Sequence, residues 1–262
     1  MITTPQLIAN AFKEIPEVVA VSIAGSNATG CADMKSDLDL YVYSQHGIPL
    51  PARSEIARNR SDLIEIDNDF WEPGDAWIER ESGLLVEVTY RTTRWIEDQL
   101  DRILKRHEAS LGYSTCLWHS VRSSKSIFDR NGWYQELLKL AKGSYPEALR
   151  NAIIQKNLPV LRKLSSSYLY QIELAIARDD FVSVNHRVTA LLASYFDILF
   201  AINRIPHPGE KRQVQFVNKF CTFIPDRMEE NVRQVLQLRP TTLVSDINDL
   251  LNELDDLLRK ER

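Results

Sequence analysis

Two aspartates set two residues apart, Asp37-Leu38-Asp39, are the residues of this chain best arranged for chemistry. Leu38, Leu40 and Val42 alternate with Asp37, Asp39 and Tyr41, so the stretch reads as a strand with acids on one face and aliphatics on the other. Adjacent carboxylates repel one another, and a cation between them removes that cost. A second feature lies upstream. The apolar run Val18–Ala24 ends in Gly25-Ser26, and ten residues separate Ser26 from Asp37. Glycine lets a backbone approach a phosphate closely, and a serine hydroxyl can donate to it. Strand, small-residue turn, polar loop and acid-bearing strand together suit a divalent cation held beside a polyphosphate.

The elements that must carry these groups follow from periodicity. Thr4 and Pro5 open a helix striped by Leu7, Ile8, Ala11, Phe12 and Ile15, and Pro16 stops it. Short strands are expected at Leu63–Ile66, Ala76–Glu79, Leu84–Tyr90 and Ser126–Asp129, with a short helix at Ala52–Asn59. Thr92 or Thr93 caps a helix whose apolar side is Trp95, Ile96, Leu100, Ile103 and Leu104. From Ser144 onward helical spacing replaces alternation. Pro159 should kink or divide one run, Phe181–Ile202 forms a long helix, and Thr241–Leu258 forms the last. The expected fold class is α+β: a mixed sheet with flanking helices over residues 1–143, then an all-α helical bundle over 144–262.

Composition narrows the classes. Hydrophobic residues at 44% and charged residues at 26% describe an ordinary globular protein. A net charge of −4 argues against a long polynucleotide partner, whose phosphates call for a basic surface. Cys31, Cys116 and Cys221 form no Cys-x-x-Cys pair, which disfavours a zinc site and fits a reducing compartment. No signal-peptide pattern or membrane-spanning run is visible, so a cytoplasmic protein is expected. Gly25 and Gly30 have P-loop spacing, but Cys31 and Ala32 stand where lysine and a hydroxyl residue would be required. The five histidines share no metal-ligand spacing and read as packed or surface residues.

The Gly25-Ser26 turn with Asp37-Leu38-Asp39 resembles the signature of the nucleotidyltransferase superfamily, which includes polymerase β-like enzymes and aminoglycoside and lincosamide nucleotidyltransferases. The resemblance covers about twenty contiguous residues. It implies a nucleotidyltransferase-type sheet and Mg²⁺-dependent transfer of a nucleoside monophosphate from a triphosphate to an acceptor hydroxyl. Asp37 and Asp39 would hold one or two Mg²⁺ ions, with Gly25 and Ser26 at the phosphates. A third carboxylate is usual on a later strand. Glu87, a lone acid in an apolar strand, is the choice over Glu65 and Asp67, although many members have aspartate there. The Phe200–Arg212 segment is similar to part of the helical domain of small bacterial members, which implies triphosphate contacts from Lys211 and, more weakly, Asn203; Lys156 and Arg162 are less distinctive. The general base is left open among Asp37, Asp39, Asp197 and Glu210. The acceptor is a small, antibiotic-like molecule or, alternatively, a partner protein, as for antitoxin-type enzymes. A catalytically idle nucleotide-binding protein is the remaining alternative.

Overall fold

The structure is a computed structural model that describes residues 3–25 and 37–261. Contacts divide the chain into two units, residues 1–101 with 117–143 and residues 102–116 with 144–262. The division expected from composition, at residue 143, differs from this in one segment. Arg102–Cys116 groups with the helical unit although it lies between elements of the sheet unit. Its contacts are with residues more than 40 positions downstream, which no local pattern announces.

In the sheet unit six strands run in the spatial order β3-β4-β5-β2-β1-β6, made by β1 (Val18–Ile23), β2 (Leu38–Ser44), β3 (Ile64–Asn68), β4 (Gly74–Ile78), β5 (Leu85–Thr92) and β6 (Lys125–Asp129). All neighbours are antiparallel except β2 and β5, which run parallel. The helices are α1 (Thr4–Lys13), α2 (Leu50–Arg58), α3 (Thr93–Leu104), α4 (Cys116–Ser123) and α5 (Trp133–Ala141). Helix α1 starts where Thr3 N–H donates to Gln6 Oε1 at 3.0 Å, and Pro5 sits in the first turn, where its missing N–H costs nothing. The Thr92 hydroxyl accepts from Trp95 N–H at 3.2 Å and caps α3. Helices α4 and α5 were not anticipated: each is a short helix of 8 or 9 residues, too brief for a clear period.

One face of the sheet is a hydrophobic core. Leu38, Leu40, Val42, Val86, Val88 and Trp77 pack there on Ile8, Phe12, Ile56 and Ala57. This core also encloses charge. Arg53 grips Asp75 through Nε and Nη2, at 3.0 and 2.5 Å, and the Tyr90 hydroxyl donates to Asp75 at 2.6 Å. The guanidinium lies 4.3 Å above the Tyr90 ring, where attraction to the π-face adds to the pairing.

The helical unit comprises α6 (Glu147–Arg162), α7 (Tyr168–Ala177), α8 (Phe181–Ile202), α9 (Gln213–Phe220), α10 (Met228–Val235) and α11 (Leu243–Lys260). Its core is built on Leu191, Tyr195, Ile198 and Leu199 of α8, packed with Leu161, Ile172, Val232, Leu250 and Leu254. Pro159 does not divide the run at its own position. Helix α6 continues through it to Arg162, and the break falls at Lys163–Ser167, where Ser167 caps α7. Only one helical hydrogen bond is lost at a proline, and burial of Leu161 and Ile153 outweighs it. No helix among the described residues is long and apolar enough to cross a membrane.

Candidate active site

The carboxylate pair sits where β2 begins. Burial alternates along this strand, with Leu38 and Leu40 in the core and Asp39 and Tyr41 half-buried on the opposite face. Asp37 immediately precedes the strand and is half-buried as well. The start of β2 is tied back to the end of β1, because Ala24 N–H donates to the Asp39 carbonyl at 2.9 Å. Gly25 follows with φ +62°, and a Cβ built on it would overlap Oδ2 and Cγ of Asp39. Here glycine is required twice: for the left-handed backbone and for the close approach to a carboxylate. Gly25→Ala should therefore push Asp39 out of place at a conformational cost of about 1 kcal/mol. We expect activity lost with Tm nearly unchanged; wild-type turnover by this variant would show that the contact is incidental. Ser26 lies outside the described residues.

Glu87 is placed by long-range pairing. In the parallel ladder Asp39 is opposite Glu87, and in the next ladder Glu87 is opposite Ala76, which in turn faces Glu65. Asp39, Glu87 and Glu65 thus lie in one row across a single sheet face. The strand is an interior one, yet Glu87 is exposed. Its candidacy consequently comes from its place beside Asp39, since no burial cost demands a partner. Asp67 leaves the row: its N–H donates to Asp75 and its carboxylate meets Arg53 at 3.4 Å.

The row's oxygen donors suit a hard divalent ion. Among the described residues no group of three histidine, cysteine, aspartate or glutamate side chains is placed to hold a metal. A Mg²⁺ ion needs no such cage, because it is commonly held by one or two carboxylates with water and substrate phosphate completing the shell. The residues present fit that mode through Asp37 and Asp39.

Farther along the same face lies an arginine that the sequence reading passed over. Arg91 is 5% exposed, stacks 4.0 Å above the Tyr41 ring and pairs with Glu72 through two hydrogen bonds of 2.8 and 2.6 Å. Alternation was the available signal. Tyr41 is two residues beyond Asp39, and Arg91 is four beyond Glu87, so all four share a face.

The remaining candidates belong to the helical unit. Lys211 and Glu210 are exposed on the turn before α9. Asn203 serves another purpose. Its amide donates to the Leu199 and Phe223 carbonyls at 2.9 and 2.8 Å and accepts from Thr222 and Phe223 N–H at 2.9 and 2.8 Å. Four hydrogen bonds saturate a carboxamide, which makes Asn203 the tie between the end of α8 and the Thr222–Phe223 backbone and leaves no capacity for a nucleotide. Lys156 donates to the Ala109 carbonyl at 2.7 Å, and Arg162 is bound to Asp255 at 2.7 Å and to Asn252 at 2.8 Å.

Asp197 is buried inside the bundle at 1% exposure. Burial pushes its carboxyl up to about 7, although hydrogen bonds from Ser114 and Asn157 pull the other way. Between about pH 4 and 7 the folded chain holds a proton here that the unfolded chain has lost. Stability must therefore fall as pH rises through that window, and then level off, by up to about 4 kcal/mol for this group. The neighbouring Tyr113, Tyr145 and Cys116 are all shifted upward by burial, so none ionises in the window. The readout is the difference in urea midpoint between wild type and Asp197→Asn from pH 4.5 to 7.5. Parallel curves for the two proteins would show that Asp197 is not the titrating group.

No family model matches the chain, and no curated protein matches it. Among solved structures it is similar to a nucleotidyltransferase-like protein from Exiguobacterium sibiricum, at 15% identity and TM-score 0.46, over 98% of this chain and 73% of the other. It is similar to a spectinomycin adenyltransferase from Enterococcus faecialis, solved with ATP and spectinomycin, at 16% identity and TM-score 0.31, over 97% and 99%. A CCA-adding enzyme from Thermotoga maritima, in complex with tRNA, is similar at 13% identity and TM-score 0.34, over 98% and 64%. These likenesses are weak.

Proposed function

We propose that this protein transfers a nucleoside monophosphate from a nucleoside triphosphate to an acceptor hydroxyl, with release of pyrophosphate. The observation that carries the reading is the left-handed Gly25 turn pressed against Asp39, which lies on the half-buried face of β2, two residues after Asp37. The Gly25 backbone admits the phosphates, and the Ser26 hydroxyl can donate to one of their oxygens. Mg²⁺, when bound, neutralises charge developing on those oxygens. Asp37 and Asp39 would hold it, and Glu87, opposite Asp39 on the adjoining strand, lies beside them.

The bond formed joins the acceptor oxygen to the α-phosphorus, and the bond broken is that from the α-phosphorus to the pyrophosphate oxygen. The hydroxyl proton passes to a carboxylate, for which Asp37, Asp39 and Glu87 are the candidates. Asp197 is too enclosed for that role. Lys211, exposed on its turn in the helical unit, is the cation whose contribution to triphosphate binding is to be tested. A net charge of −4 favours a small acceptor over a long nucleic acid, and an antibiotic-like molecule or a partner protein are the two classes to test. The half-buried free thiols Cys116 and Cys221 suit the reducing cytoplasm.

The test is pyrophosphate release from each of four nucleoside triphosphates with Mg²⁺, against aminoglycosides, lincosamides and cell extract. Release that depends on one acceptor class, and on Asp39, is expected. Mg²⁺-dependent triphosphate binding with no release across the whole screen would instead identify an idle nucleotide-binding protein.

A further inference from the structure

A segment without helix or strand, residues 105–115, runs through the helical unit. Ser114 and Thr115 are buried, and a Cβ on Gly112 would press within 2.9 Å of Ala193 on α8. Irregular backbone in such a place needs polar partners that a bundle of leucines and isoleucines does not supply. Two side chains supply them. Asn157 of α6 accepts from Gly112 N–H at 2.9 Å and donates to the Ser110 carbonyl at 3.0 Å. Asp197 of α8 accepts from the Ser114 N–H at 3.0 Å and from its hydroxyl at 2.6 Å.

The same strap grips a second loop. The Thr115 hydroxyl accepts from His207 N–H at 2.7 Å, and Cys116 Sγ lies 3.5 Å from His207 Nδ1. That nitrogen also accepts from Gly209 N–H at 3.1 Å, and the Tyr113 ring meets the imidazole edge-on, 5.0 Å between centres. His207 is fully buried, whereas Glu210, Lys211 and Arg212, three to five residues on, are exposed. The loop is therefore held from inside, and its charged end is presented outward. A carboxyl group enclosed in a bundle costs stability, and Asp197 is 1% exposed. Such a cost, kept where an apolar side chain would pack, points to a task other than holding helices together.

We infer that Asn157, Asp197 and Thr115 are positioning residues that fix the Glu210–Lys211–Arg212 turn through the strap Ser110–Cys116 and His207. The functional half of this inference rests on Lys211 as a triphosphate ligand, and the mechanical half does not. Two readouts separate them in the full-length chain: tryptic cleavage after Lys211 and Arg212, followed by mass spectrometry, and equilibrium binding of ATP with Mg²⁺.

Thr115→Val keeps the side-chain volume and removes the acceptor for His207 N–H. It should raise the cleavage rate about tenfold and weaken ATP binding to the level of Lys211→Ala, about tenfold, as loss of one buried hydrogen bond permits. The double variant should be no weaker than Lys211→Ala alone, and Thr115→Ser should restore both readouts. Asp197→Asn, which keeps one acceptor for Ser114, should raise cleavage by a smaller factor. Unchanged cleavage in Thr115→Val, or failure of Thr115→Ser to restore it, overturns the mechanical inference. If Lys211→Ala binds ATP like wild type while Thr115→Val is cleaved faster, the strap stands and the ligand role of Lys211 falls.

Discussion

Asp39→Asn should lower pyrophosphate release by about a thousandfold, some 4 kcal/mol of transition-state stabilisation, while the sheet unit stays folded. Asparagine matches aspartate in shape, so it still fits beneath Gly25, and its backbone carbonyl still accepts from Ala24. What is lost is charge, at the position where the proposed cation and the phosphates meet. Asp37→Asn should act in the same direction. Glu87→Gln should cost less, because Glu87 is exposed and joins the row from the neighbouring strand. Glu65→Gln is the control. It removes an acid from the same row but from the edge strand, with β4 and β5 between it and Asp39, and should leave turnover within about twofold. Equal losses for Glu65→Gln and Asp39→Asn would mean that the face acts through general charge and not through a site. Wild-type turnover by Asp39→Asn would remove the site altogether.

The largest stability effect is expected on the opposite face of the same sheet. Asp75→Ala removes the partner of Arg53, whose side chain is 9% exposed, and also strands the Tyr90 hydroxyl and the Asp67 N–H. A guanidinium cannot shed its proton, and with Asp75 gone only the solvent-exposed Asp67 carboxylate, 3.4 Å away, is left to offset its burial. The loss should be about 3–5 kcal/mol, the usual range when one partner of a buried pair is deleted. For a unit of this size that lowers Tm by roughly 10–20 °C. Two groups are stranded in addition to the charge, which places the expectation toward the upper end. Arg53→Met combined with Asp75→Ala should recover part of the loss, since no bare charge is left inside. Thermal unfolding followed by near-ultraviolet dichroism, which reports on Trp77 in this core, is the measurement. A Tm within about 3 °C of wild type for Asp75→Ala would show that water reaches Arg53 and that the pair is not a buried one.

Neither residue of that pair was legible beforehand. Arg53 sits in a short amphipathic helix, where an arginine is ordinary, and Asp75 follows a turn glycine, where an aspartate is ordinary. Only the packing of α2 over β4 turns two unremarkable charges into a buried pair. The same limit applies to Asn203. A polar residue after a long helix, close to a lysine, invites a ligand role, but the Thr222–Phe223 backbone that saturates it lies nineteen and twenty residues away.

The sequence by itself determined what short-range periodicity can carry: the alternation that turns Asp39 away from Leu38 and Leu40, the long helix Phe181–Ile202, and the change from strands to helices near residue 144. These depend on neighbours within a few residues, so the local chain contains the whole cause. The tertiary structure decided the rest. It set Glu87 opposite Asp39 through a parallel ladder spanning 48 positions, drew Arg102–Cys116 into the helical unit, and enclosed Asp197 with Ser114 and Asn157. Register, desolvation and hydrogen-bond saturation are properties of groups brought together from far along the chain, and they exist only once it has folded.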